Sequence, residues 1–186
     1  QKNRAETARS WDDFYAAAAS GSQAELANVI SQYPGYDAAQ WAAIVAGDGH
    51  LEEGCELLFS NKAHANEELT KALEAYRRVA QQRAIPSLRE RAAFGIARTH
   101  EARGELEKAQ ENYEALVAGW PEGPYAEVAQ IRLDDLKRPS TKRFYDRFKN
   151  FDPAPAFGGE PGTPGERPSF EVDAPAAPSD DASAAQ

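Results

Sequence analysis

The side chains with which this sequence could do chemistry are three histidines, a single cysteine and 30 Asp and Glu residues. Their densest grouping is His50, Glu52, Glu53, Cys55 and Glu56. It offers the nitrogen, oxygen and sulfur ligands that zinc accepts. In a helix, however, five positions of separation put His50 and Cys55 about 140° apart, on different faces. A metal-dependent enzyme built on His50 and Cys55 is therefore kept only as the alternative of a different class. The expected reading is a solvated acidic face beside a small buried cysteine. His64 and His100 share no ligand spacing with His50, and the carboxylate pairs Asp12/Asp13 and Asp134/Asp135 splay apart on a helix. The sequence has no Gly-rich phosphate loop, nucleophile elbow or His-Glu-x-x-His. The expectation is a non-catalytic protein with no catalytic residue, metal or cofactor.

Binding chemistry is better represented. Between residues 137 and 149 six bases, Lys137, Arg138, Lys142, Arg143, Arg147 and Lys149, face one acid, Asp146. Phe144, Tyr145, Phe148 and Phe151 are interleaved at i, i+1, i+4 and i+7, which predicts a short amphipathic helix. Its first expected role is to cap the open end of a helical stack with its aromatics. Membrane-surface contact through the basic face is the second reading, and docking of the acidic tail on the patch is the third.

The elements that position these residues follow from composition and pattern. The chain has 186 residues, 41% of them hydrophobic and 27% charged, with a net charge of −9. The acidic balance argues against nucleic acid, whose phosphates need a clustered Lys/Arg surplus. Residues 152–186 carry seven acids against Arg167, with seven of the 12 prolines. Such a segment cannot bury enough apolar surface to order itself, so it is expected as a disordered acidic tail. Residues 1–151 are then the folded domain. No run of apolar residues reaches the length of a membrane span. The lack of any methionine, including at position 1, is read as a longer product whose upstream part carries a signal, an anchor or another domain.

The body repeats itself. Residues 68–76 match residues 105–113 at an offset of 37, with identities that include Leu69/Leu106, Ala72/Ala109 and Tyr76/Tyr113. A second echo at an offset of 87 pairs Pro34 with Pro121, Ala42 with Ala129 and Ile44 with Ile131. Apolar residues recur with helical spacing, as in Trp11, Phe14, Tyr15 and Ala18. Capping boxes are expected at Ser22/Glu25 and Ser87/Glu90. Stops are expected at Gly21, Gly104 and the steps before Pro34 and Pro121. These signals predict helices near 3–19, 22–32, 37–59, 65–82, 87–103, 105–118, 124–137 and 140–150. Each hairpin alone would leave an apolar face wet, so successive hairpins should stack.

Residues 90–121 resemble a tetratricopeptide repeat, through Ile96-Ala97, Gly104, Ala109, Tyr113, Leu116 and Pro121. Residues 66–79 resemble the second helix of another such repeat. Its first helix lies around 41–59, across a long connection at 60–65. The resemblance implies an all-α, right-handed superhelical stack. It also implies a groove lined by the first helix of each hairpin, which places Arg91, Phe94, Arg98 and Glu101 on the inner face as partner contacts. The layout, with its opening Trp11-Asp-Asp-Phe-Tyr-Ala-Ala helix, is similar to bacterial membrane-anchored tetratricopeptide proteins of the ancillary Sec-translocon subunit type. That likeness implies a scaffold anchored in the inner membrane by an N-terminal segment outside this chain. It would face the periplasm and bind translocon, chaperone or envelope proteins in secretion or envelope assembly. A soluble, cytoplasmic adaptor of a larger complex is the runner-up. The lysine and asparagine pattern of a carboxylate clamp is not apparent.

Overall fold

In the computed structural model, residues 4–81 and 85–153 are described. Most of the expected acidic tail, from residue 154 onward, lies outside them. The described residues form eight α-helices: α1 (Arg4–Ser20), α2 (Gln23–Gln32), α3 (Asp37–Leu57), α4 (Lys62–Gln81), α5 (Pro86–Ala102), α6 (Leu106–Gly119), α7 (Ala126–Lys137) and α8 (Pro139–Asn150). Among the described residues there is no strand. None of these eight helices is long and apolar enough to cross a membrane.

Local chemistry sets the helix ends. Ser22 is the N-cap of α2 and accepts the Glu25 N–H. Glu25 does not complete the box; its carboxylate accepts instead from the Ser20 hydroxyl. The box expected at Ser87 does not form, because α5 already starts at Pro86, whose fixed φ suits the first helical position. Glu90 is thereby freed to accept the backbone N–H of Tyr125 at 3.2 Å, across to the start of α7. The connection expected at 60–65 is shorter than its sequence suggests. The Asn61 side chain accepts the His64 N–H at 3.1 Å and starts α4 three residues early. Gly21 and Gly104 take the left-handed conformation, at φ 68° and 70°, and end α1 and α5 as expected.

Consecutive helices pack against one another from α1 to α8, and α3 also touches both α1 and α5. The apolar faces meet in three clusters. Phe14, Leu26, Val29 and Ala42 join α1 to α3. Ile44, Leu69, Tyr76, Leu88 and Ala92 join α3 to α5. Ala97, Tyr113, Leu116, Ala129 and Leu133 join α5 to α7. Several repeated positions are buried alike: Ala72 and Ala109, Tyr76 and Tyr113, and Ala42 and Ala129 are all fully buried, whereas Ile44 is buried and its counterpart Ile131 is exposed.

The short helix α8 sits elsewhere than over the open end of the helix series. Phe148 packs on Phe59, with ring centroids 5.7 Å apart, and lies beside Gly104. The α8 aromatics thus cover the α3–α4 and α5–α6 turns. Lys62, the first residue of α4, donates to the carbonyls of Phe148, Lys149 and Phe151 at 3.0–3.1 Å. A cation on the final carbonyls of a helix satisfies orphan acceptors and its negative dipole end.

Candidate functional site

Two adjoining clefts of about 490 and 530 Å³ run along α3, α5 and α7 and share Cys55, Phe94 and Arg98. One wall comes from α3 (Asp48, Leu51, Glu52, Cys55, Glu56), the floor from α5, and the far wall from Tyr125, Val128 and Arg132 at and within α7. Tyr145 of α8 closes one end. All four residues expected on the inner face, Arg91, Phe94, Arg98 and Glu101, line these clefts.

Their partners differ sharply. Arg91 is ion-paired with Asp48, which also accepts the Tyr76 hydroxyl at 2.6 Å. Glu101 is buried and fully engaged. It accepts the Tyr113 hydroxyl at 2.9 Å, the Tyr145 hydroxyl at 3.2 Å and the Arg132 guanidinium. Glu101 is therefore an internal tie between α5, α6, α7 and α8. Phe94 stacks on Tyr125 with centroids 4.9 Å apart. Arg98 alone keeps its charge available. It is exposed, makes no ion pair among the described residues, and lies with Cζ 5.9 Å from the centre of the Phe94 ring. An arginine on an aromatic face is held by cation–π attraction while its N–H groups stay free to bind.

A recurring device underlies these contacts, and spacing in sequence did not reveal it. A tyrosine at the end of α2, and one within each of α4 and α6, donates its hydroxyl to an acid of the preceding odd helix. The pairs are Tyr33 to Asp13 at 2.5 Å, Tyr76 to Asp48, and Tyr113 to Glu101. In the last two pairs an arginine of the next odd helix, Arg91 or Arg132, joins the acid. Burial pushes the hydroxyls of Tyr76 and Tyr113 well above the ordinary tyrosine range, and the adjacent carboxylate raises them further. Both hydroxyls thus stay protonated donors.

The other candidates fall apart or move. His50 and Cys55 do sit on different sides of α3: Cys55 lines the clefts, whereas His50 Nδ1 is 2.7 Å from Glu68 Oε2 on α4. Burial pushes the Cys55 thiol up, only partly opposed by Arg98. A thiol so held is a poor nucleophile and a poor metal ligand, since the thiolate is the active form. On α8, Lys142, Arg143, Phe144 and Arg147 are exposed, but Phe148 is buried and so is not part of an open apolar face.

No protein-family model, no curated protein and no solved structure matches this chain. The meaning of the clefts therefore rests on their own residues.

Proposed function

We propose that the chain is a non-catalytic scaffold of tetratricopeptide type, whose odd helices line a groove that holds an extended segment of another protein. The side-by-side contacts α1–α3 and α3–α5, with even helices behind them, support the stacked-hairpin reading. The observation that carries the functional reading is Arg98. It is an unpaired guanidinium lying on an aromatic pair, midway along a double cleft. Arginine and aromatic residues are the types that anchor protein interfaces. The partner segment would set a carboxylate against Arg98 and an apolar side chain against Phe94 and Tyr125. It would also present a base to the exposed Glu52 and Glu56. In this reading the groove serves secretion or envelope assembly at the periplasmic side of the membrane, through an anchor outside this chain.

Photocrosslinking in cells tests the groove. A photoreactive residue at Glu56 or Val128 should yield adducts with a discrete partner, lost on Arg98→Glu. The same residue at Glu111, on the exposed side of α6, should yield none. Equal adducts from all three positions would refute the groove as the binding face.

A further inference from the structure

We propose a zinc site at the α3–α4 seam, built from His50 and Glu53 of α3 and His64 and Glu68 of α4. The pairs are spaced i, i+3 on one helix and i, i+4 on the other, so each pair shares a face. Ligand atoms of His50, Glu53 and Glu68 lie within 4.8 Å of one another. His64 Nε2 stands at the edge of that group, 3.9 Å from Glu53 Oε1 and 4.0 Å from Glu68 Oε1, and would swing in as the fourth ligand. Four ligands about 2.0–2.1 Å from a tetrahedral zinc stand roughly 3.4 Å from each other. The His50–Glu68 and His64–Glu53 separations, 2.7 and 3.9 Å, bracket that value, so rotation of the half-exposed His64 and Glu53 side chains toward Glu68 Oε2 would close the shell.

His64 is oriented as a ligand would be. Its Nδ1 lies 3.2 Å from Glu67 Oε2, which turns Nε2 toward the two carboxylates. Metal-bound imidazoles commonly donate their second nitrogen to a carboxylate in this way. Lys71 Nζ, 2.6 Å from Glu68 Oε1, would hold one oxygen of the buried carboxylate while the other meets the metal. The backbone frame is tight. A methyl group on Gly54 would meet Leu69 at 2.7 Å and the Ala65 carbonyl at 3.3 Å, so α3 and α4 approach closely beside Glu53, His64 and Glu68. Two imidazoles and two carboxylates fit zinc better than calcium or magnesium, which prefer oxygen alone. For zinc to enter, His50 takes the tautomer with its proton on Nε2, exchanged through solvent, so that the Nδ1 lone pair and Glu68 both face the ion. All four positions come from protein, as in closed structural sites, so the ion would staple the hairpin and perform no hydrolysis.

The test uses the full chain without a histidine tag, stripped by chelator, with zinc chloride as the probe. Titration calorimetry should find one zinc per chain, and the melting temperature should rise by about 5 °C or more at a hundredfold excess over Kd. Glu53 and His64 are about half exposed, so Glu53→Ala and His64→Ala should fold normally and lose both signals. Cys55→Ala should keep them. The proposal is overturned by absent binding in the parent chain, by binding unchanged in both seam variants, or by binding that depends on Cys55. None of these outcomes bears on the groove, which lies across α3 from the seam.

Discussion

At the scale of single residues, a firm constraint is the wedge of Tyr76 between two glycines. A Cβ on Gly95 would lie 2.5 Å from the Tyr76 ring, and one on Gly47 would lie 2.8 Å away. The ring is fully buried and its hydroxyl is tied to Asp48, so it has no room to withdraw. Gly95→Ala should therefore destabilise the protein by about 1–3 kcal/mol, the usual cost of overpacking a filled core, despite alanine's better helix propensity. Urea denaturation checks this, and an unchanged or higher midpoint would show that the helices can part. Exposed Gly119, with open space where its Cβ would stand, serves as the contrasting position. Gly119→Ala, near the end of α6, should change stability by less than about 1 kcal/mol.

Among the elements, α6 shows how a turn couples folding to pH. Glu105 precedes α6, and its carboxylate meets His100 Nδ1 at 2.5 Å and Lys108 Nζ at 3.3 Å. Burial pushes the Glu105 carboxyl up. The His100 hydrogen bond, the Arg103 charge and Lys108 together outweigh that and hold it below the ordinary glutamate value. A carboxyl lowered by folding contributes stability that is complete above its unfolded value near 4.5 and fades as pH falls through the lower folded value. Glu105→Gln should then lower stability at pH 7 while making it less sensitive to acid below about pH 4.5. Thermal melts between pH 3 and 7 measure both effects. An identical acid slope in parent and variant would remove Glu105 from the account.

The helices themselves were legible because an apolar stripe of period 3.6 and its caps are local signals. Trp11 to Ala18 and Leu69 to Tyr76 each fix a face without reference to the rest of the chain. Likewise the 37- and 87-residue echoes marked several pairs that the fold buries alike, such as Tyr76/Tyr113 and Ala42/Ala129, although Ile44 is buried and Ile131 exposed. Long-range pairings were not legible, since the tyrosines stand 20, 28 and 12 residues from their acids and share no common spacing. The inner-face residues followed from the family resemblance, but not their fates. Glu101 and Arg98 look equally available in sequence. Only the arrival of Tyr113, Arg132 and Tyr145 consumes one and leaves the other. Asn61 was missed as a cap because no glutamate or apolar run follows it at the usual distance. A helix start expected at residue 65 places His64 in a loop, away from Glu53 and Glu68.

At the scale of the molecule, α8 links the groove to the turns. Its surface is basic and its mean apolar content is low, yet Phe148 is buried and Tyr145 reaches Glu101 at the groove's end. Three carbonyls near its C-terminal end converge on one ammonium, that of Lys62. Its body touches the rest mainly through α7 and those aromatics. An element with few buried contacts opens on its own, at a free energy well below that of global unfolding. Lys62→Met keeps the apolar stem of the side chain and removes the charge, leaving those carbonyls to water. Amide exchange across 139–150 should rise by about tenfold, equivalent to roughly 1.4 kcal/mol in the opening equilibrium. Exchange in α5 and α6 should stay as it was, apart from amides near Glu101. Because Tyr145 leaves with the helix, the groove should lengthen toward Arg132, and crosslinks from Val128 to a bound partner should increase. If α5, α6 and α8 instead lose protection together, α8 is an integral part of one cooperative unit, and it cannot act as a separable stop at the end of the groove.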